Sequence, residues 1–156
     1  MFTLQLTDTH EMIRQTARDF ARDEVAPTAI ERDKSGTFPH DIVKKMGELG
    51  FMGMMVSPEW GGSGLDALSY VLAMEEISAV DASVGVVMSV NNSLVCWGLE
   101  TYATDAQKER WLRPLATGEV HGAFCLSEPE AGSDATQQHT VAERGDGGGN
   151  LNGTKN

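Results

Sequence analysis

Apolar residues recur at helical spacing from the start of the chain to about residue 118. In the first segment Ile13, Ala17 and Phe20 fall on one face, at the spacing that is typical of an amphipathic helix. Thr7 precedes this stripe and has the side chain of a helix N-cap, while Pro27 lacks the backbone donor that a helix interior needs. The pattern predicts a first helix that begins after Thr7 and ends at Pro27.

Two further helices are predicted before residue 80. The second opens at Pro39, carries an apolar stripe at Val43, Met46 and Leu49, and reaches Gly50, which supplies the positive φ of a C-cap. A methionine-rich stretch and a glycine-rich turn, MGMMVSPEWGGSGLD, then separate it from the third helix. That third helix is predicted to be capped by Asp66 and to turn four apolar residues inward: Leu68, Val71, Leu72 and Ile77.

The fourth helix is apolar nearly all round from Val84 to Leu99, which predicts a place at the centre of a helical bundle. Asn91 and Asn92 interrupt it, so their amides need hydrogen-bond partners, and the window falls short of the ~20 apolar residues that span a bilayer. A fifth helix begins at Thr104, where Gln107 completes a capping-box spacing, and it closes at Gly118.

After Gly118 the pattern changes from helices to strands. The runs VHGAFCL and HTVAE have β character, RGDGGGN is typical of a polar hairpin turn, and NLNGTKN begins a third run. The predicted fold is mainly α, with a helical bundle over residues 1–118 and the first strands of an incomplete β domain over 119–156. Three strands with open edges are marginal by themselves, so the chain reads as the front part of a larger protein.

Charge narrows the possible partners. The 23 acidic residues against 12 Lys and Arg give a net charge of −11, which repels nucleic acid and anionic membranes. The N-terminus lacks a secretory signal, which predicts a cytoplasmic protein without membrane insertion. Cys96 and Cys125 are interpreted as reduced core residues, and no histidines or cysteines stand at metal-site spacing.

The stretch CLSEPEAGSDA carries the densest candidate chemistry. Ser127 follows a predicted strand, Pro129 stiffens the chain after it, Gly132 permits a close backbone approach, and Ser133 adds a hydroxyl and an N–H. These groups suit a phosphate-holding turn, although a strand that ends in a simple polar turn has the same composition. A hydrolase centre built from Ser127 or Ser133 is disfavoured because the chain has no G-x-S-x-G elbow.

Several motifs in order resemble the acyl-CoA dehydrogenase family. They are WGGSGLDALSYVLAMEEIS, ASVGVVMSVNNSL, TDAQKERWLRPLATGEVHG, AFCLSEPEAGSDA and LNGTKN, which together extend over most of the chain. The first two are especially similar to short-chain, butyryl-type members. The resemblance implies an N-terminal helical domain and the start of the family's β domain.

The resemblance also implies an FAD site in the AFCLSEPEAGSDA motif. Phe124 and Leu126 would border the flavin, and Ser127 would hydrogen-bond the part of the ring that accepts the hydride. Gly132 would allow close approach, and Ser133 would contact both the pyrophosphate and the acyl-CoA substrate. Three other residues, Asn91, Asn92 and Leu94, are predicted to pack in the core, and the border of the acyl cavity is the alternative that the family suggests.

By resemblance, the reaction is the FAD-dependent α,β-dehydrogenation of a short-chain acyl-CoA, with electrons passing to an electron-transfer flavoprotein. The resemblance also implies assembly as a homo-oligomer. The family's glutamate base belongs to a region beyond Asn156, so no catalytic residue is assigned in this chain. The chain alone is therefore expected to be inactive. Two residues depart from the family's pattern: Gln137 stands where relatives carry a small residue, and Glu130 adds negative charge near the proposed phosphate site. The alternative is a non-catalytic fragment or paralogue that serves in packing or assembly.

Overall fold

The first amphipathic pattern folds as a long helix in the computed structural model, which describes residues 5–156. Helix α1 spans Asp8–Phe20, and Thr7 caps it by accepting a hydrogen bond from the His10 N–H. The helical path continues through a π-helical turn and a short 3-10 turn into α2, Ala29–Ser35. The prediction that this helix ends at Pro27 is wrong, because the proline lies in the first turn of the 3-10 segment, where its missing N–H is not needed.

The other helices of the first compact unit, which ends at Ala123, are as follows. They are α3 His40–Glu48, α4 Ala67–Ser78, α5 Ala82–Ser89, α6 Trp97–Tyr102, α7 Asp105–Gln107 and α8 Arg113–Ala116. π-helical turns at Val90–Cys96 and Lys108–Leu112 join α5 to α6 and α7 to α8, and 3-10 turns stand at Phe51–Gly53 and Pro58–Trp60. The predicted caps at Asp66 and Thr104 are confirmed.

The core of this unit lies where α1 packs on α4 and α4 packs on α5. Ile13, Ala17 and Phe20 are buried as predicted, and so are Met52 and Met54 from the methionine-rich stretch. Leu49 and Val71 were predicted to face inward, but both are about half exposed. Their spacing follows the apolar stripe, yet they lie at its edge, beyond the surface that neighbouring helices cover.

Two asparagines hold the centre of the unit together. Asn92 donates from Nδ2 to the Phe51 carbonyl at 2.8 Å and accepts from the Met54 N–H at 2.8 Å. Asn91 donates to the carbonyl of Met52 at 2.7 Å and to that of Leu115 at 3.0 Å, and it accepts from the Gly122 N–H at 3.0 Å. Both side chains are buried, so the expectation that these amides need partners and pack in the core is confirmed.

The helix that carries them, Ala82–Tyr102, is not central within this unit. Val84, Met88 and Cys96 are buried, whereas Leu94 and Trp97 are exposed, so the prediction of a fully surrounded helix is wrong for the described residues. The expectation that this segment is too short to span a bilayer is wrong by length and composition, because the helix has 21 residues and is apolar enough, a criterion that core helices of soluble proteins also meet. Its buried amides are bonded to the main chain of the same unit.

The second unit, Phe124–Asn156, contains one β-hairpin. Strand β1, Val141–Gly145, pairs antiparallel with β2, Gly148–Asn152, and Gly147 takes the positive φ of 83° that the tight turn requires. The predicted hairpin in RGDGGGN is therefore confirmed. The predicted strand in VHGAFCL is wrong, because no strand among the described residues forms a ladder with this segment. The prediction that Cys125 lies in the core is also wrong, because the residue is exposed.

Replacing Asn92 with leucine should lower the free energy of unfolding by about 3 kcal/mol, because the Phe51 carbonyl and the Met54 N–H lose their buried partner. Urea unfolding followed by circular dichroism measures the loss. The matched control is Gln15→Leu, since the Gln15 amide is exposed and, among residues 5–156, bonds only to Asp19 one helical turn away. Equal losses in the two variants would show that the buried amide does not organise the core.

Candidate functional site

The CLSEPEAGSDA stretch forms a tight turn in the second unit. Glu128 and Ala131 exchange backbone hydrogen bonds of 2.9 and 3.1 Å, with Pro129 at the first central position of the turn. The chain then passes through Gly132 and Ser133 to Asp134, which begins a short 3-10 turn at Ala135–Gln137. The result is a bend whose two ends are each fixed by hydrogen bonds.

Glu128 lies inside this bend instead of pointing to solvent. Its side chain is only 2% exposed and pairs with the Lys155 ammonium at 2.8 Å. The same carboxylate accepts the N–H of His139 at 2.5 Å and that of Thr140 at 3.2 Å. The Lys155 ammonium, followed by the Thr140 side chain and the backbone N–H donors, lowers the pKa of Glu128 to about 2. Glu128 is therefore ionised at neutral pH, its oxygens are occupied by structural contacts, and it is a poor candidate for a catalytic base.

The main chain just before the bend is held by residues from later in the sequence. The carbonyl of Leu126 accepts from Gln138 Nε2 at 2.6 Å and from Lys155 Nζ at 3.2 Å. The carbonyl of Ser127 accepts from the Asn156 N–H at 3.0 Å. These bonds fix the carbonyl side of both residues within the second unit.

The five predicted site residues all lie in this unit. Phe124 and Leu126 are 51% and 38% exposed, which is high for large apolar side chains in a folded unit. Ser127, Gly132 and Ser133 are exposed along the bend. Over residues 5–156, neither the hydroxyls of the two serines nor the N–H groups of Gly132 and Ser133 donate to another protein group. A Cβ built on Gly132 would meet no atom within 4 Å, so the space beside it is open.

Of the three carboxylates around the bend, one is paired with a cation, one is bonded to neutral donors and one is exposed to solvent. Lys155 pairs with Glu128, and Asp134 accepts from the Thr136 hydroxyl at 2.5 Å and its N–H at 3.1 Å, which lowers the pKa of Asp134. Glu130 is 60% exposed, so its charge is solvated, and it lies 4.0 Å from the His139 ring. Among the described residues of the bend, the donors without an acceptor include the hydroxyls of Ser127 and Ser133 and the N–H groups of Gly132 and Ser133, which suit phosphate and carbonyl oxygens.

Other chemistries find less support in this geometry. Asp134 is bonded to Thr136, and the carboxylate near His139 is Glu130 at 4.0 Å, so the hydrogen-bond chain of a hydrolase triad is not formed among the described residues. Within residues 5–156, no three His, Cys, Asp or Glu side chains lie close enough together to hold a metal ion.

Comparison with known proteins assigns the chain to a family. The model of the acyl-CoA dehydrogenase N-terminal domain matches residues 7–119. The chain belongs to the acyl-CoA dehydrogenase family. It is 48% identical over 153 residues to the mitochondrial short-chain specific acyl-CoA dehydrogenase of Rattus norvegicus, covering 98% of this chain and 37% of that protein.

Solved structures of the acyl-CoA dehydrogenase family have the same fold. The chain matches butyryl-CoA dehydrogenase from Megasphaera elsdenii with a TM-score of 0.92 and 39% identity, over 99% of this chain and 41% of that one. It matches a glutaryl-CoA dehydrogenase from Mycobacterium smegmatis, solved in complex with FADH2, with a TM-score of 0.91 and 35% identity, over 96% and 39% of the two chains. The chain thus spans about 40% of the length of these relatives, and its mainly helical fold is that of the family.

The residues that hold the bend were not all identified from the sequence. Lys155 lies in LNGTKN, which was noted for its resemblance but given no role, and Gln138 was not singled out. Gly153 matters as well, because a side chain there would clash with the Thr140 hydroxyl beside Glu128. A lysine shortly after a hairpin does not by itself predict an ion pair with a particular carboxylate. The pairing of β1 with β2 brings Lys155 back to Glu128, and the sequence does not show this.

Replacing Glu128 with glutamine should destabilise the fold by an amount that depends on pH. Because the folded pKa of Glu128 is about 2, below the ordinary value of 4.5, its stabilisation is present above pH 4.5 and is lost as the pH falls from 4.5 towards 2. The stability difference between wild type and Glu128→Gln should be constant from pH 8 to about 5 and then shrink. Urea unfolding at several pH values checks this, with Glu143→Gln on exposed β1 as the control. A difference that does not shrink below pH 5 would contradict the assignment.

Proposed function

We propose that the protein to which this chain belongs is an FAD-dependent dehydrogenase of short-chain acyl-CoA thioesters. The observation that carries the proposal is the bend at Ser127–Ser133, where the exposed serine hydroxyls and the Gly132 and Ser133 N–H groups donate to no other protein group among residues 5–156. Membership of the acyl-CoA dehydrogenase family, and the identity to a protein named for short-chain acyl-CoA, support the substrate class.

The residues of the bend fit a flavin dinucleotide. Ser127 and Ser133 offer hydroxyl donors, and the open space at Gly132 would let a pyrophosphate approach the main chain. Phe124 and Leu126 would supply apolar contacts beside the ring system, and Ser133 would also contact the acyl-CoA substrate. When bound, FAD supplies a hydride acceptor, which no amino-acid side chain can provide.

A neutral donor at Ser127 would stabilise negative charge that develops on a ligand beside it. Such a donor is effective because it is already oriented before the reaction begins. The Ser127 carbonyl is fixed by the Asn156 N–H, so the position of the residue is set from its main chain while the hydroxyl stays free. Ser127 is therefore the residue of this chain that we place nearest to the reacting atoms.

The remaining parts of the proposal concern the whole protein. Glu128 is bonded to Lys155 and two N–H groups, which argues against its use as the base, and by the family resemblance we place the catalytic base outside residues 5–156. Transfer of the electrons to an electron-transfer flavoprotein, assembly as a homo-oligomer and a cytoplasmic location complete the proposal. Butyryl-CoA-dependent reduction of an artificial electron acceptor by the complete polypeptide tests the activity. Folded, colourless protein that gains no thermal stability from added FAD would favour a packing or assembly module instead.

Substituting valine for Gly132 should weaken FAD binding by about 100-fold or more, because the side chain would occupy the open space proposed for the phosphates. Titration of flavin fluorescence on the complete polypeptide gives the affinity. Gly145→Val is the matched control, since this β1 glycine also has open space at its Cβ position and a backbone that accepts a side chain. Equal affinity in the Gly132→Val variant and wild type would place the flavin elsewhere.

A further inference from the structure

We propose that Glu128 and Lys155 form a positioning pair that fixes the Leu126–Ser127 main chain for FAD binding. The proposal rests on the proposed function, because it concerns the orientation of residues that we place beside the flavin. It assigns a role to Lys155 and gives Glu128 one other than that of an acid or base.

Glu128 joins three segments of the second unit through one carboxylate. Its two oxygens accept from the N–H groups of His139 and Thr140, which lead into β1, and from Lys155, which follows β2. Its own main chain closes the turn with Ala131. Removing the carboxylate would leave two backbone donors and one ammonium without their acceptor, so the segments would lose a common anchor.

Lys155 carries the effect of this anchor to the predicted site. Its ammonium contacts the Glu128 carboxylate at 2.8 Å and the Leu126 carbonyl at 3.2 Å. Glu128 thus holds the lysine in the place from which it binds the residue just before Ser127. Gln138 donates to the same carbonyl, so the loss of Lys155 leaves one donor there and should loosen the main chain without releasing it completely.

The two residues should act as one unit. Without Lys155, the Glu128 carboxylate has no counter-charge and no link to the Leu126 carbonyl. Without the carboxylate, the Lys155 ammonium is no longer held beside that carbonyl. Groups in one hydrogen-bond network show non-additive effects. An exchange of the two charges should not restore function, because the His139 and Thr140 N–H groups require an acceptor at residue 128 and a lysine has none.

The experiment measures FAD affinity in the complete polypeptide for five proteins: wild type, Glu128→Gln, Lys155→Met, the double variant and Lys155→Arg. Each single substitution, Glu128→Gln or Lys155→Met, should weaken FAD binding by about tenfold. The double variant should bind FAD within about twofold of the weaker single variant. Lys155→Arg should recover most of the affinity because arginine keeps the charge and the donors. Glu143→Gln, an exposed β1 carboxylate, is the matched control and should bind as wild type does.

A second readout separates positioning from general stability. The visible circular dichroism of bound flavin reports how the ring is held, so it should change in Glu128→Gln and Lys155→Met at saturating FAD. Far-ultraviolet circular dichroism and thermal unfolding confirm that each variant is folded, and Lys155→Met provides the test if Glu128→Gln does not fold. Unchanged affinity and an unchanged flavin spectrum in folded Lys155→Met would overturn the proposal, as would strictly additive losses in the double variant.

These measurements distinguish a failure of the positioning pair from a failure of the proposed FAD site. If wild type binds no FAD, the proposed function fails, and the positioning role in flavin binding fails with it. If wild type binds FAD and the Gly132→Val variant does not, while the Glu128 and Lys155 variants bind normally, the flavin site stands and only the positioning pair is rejected.

Discussion

The requirement that buried polar groups find partners organises the first unit, and Asn91 and Asn92 meet it. An amide inside a helix bundle is costly unless its donors and acceptor are all bonded. Here the partners are main-chain groups of residues 51–54, of Leu115 and of Gly122. Because these groups come from separate stretches of the chain, one pair of adjacent side chains fixes the irregular segments that the helices alone would leave undefined.

In the second unit, the buried group that needs partners is the charged carboxylate of Glu128. Its helical content is low and its hairpin is exposed, so little apolar burial is available to order the bend. Glu128 instead gathers two backbone N–H groups and an ammonium around one buried carboxylate. A charged acceptor makes stronger hydrogen bonds than an amide does, but it also needs a counter-charge, which is why Lys155 matters as much as Glu128.

Local signals in the sequence identified local structure well. Caps at Thr7, Asp66 and Thr104 and the hairpin in RGDGGGN depend on neighbouring residues alone, and each is confirmed. Helical periodicity located the apolar faces but not how much of each face is covered, so Leu49, Val71 and the exposed side of helix Ala82–Tyr102 were misjudged. The partners of Asn92 and of Glu128 lie far away in sequence, and pairing over such distances cannot be read from spacing. The five predicted site residues do share one unit, yet their roles stay predictions.

The acidity of the protein bears on how an anionic ligand could approach the bend. A net charge of −11 opposes an anionic ligand, and three carboxylates stand in the eleven residues of the motif. Lys155 neutralises Glu128, the hydroxyl and N–H of Thr136 bind Asp134, and solvent screens the exposed Glu130. A pyrophosphate at Ser133 would then meet neutral donors instead of bare negative charge. The ion pair therefore serves the proposed site in two ways, since the contact that helps to order its main chain also offsets one of the three negative charges of the motif.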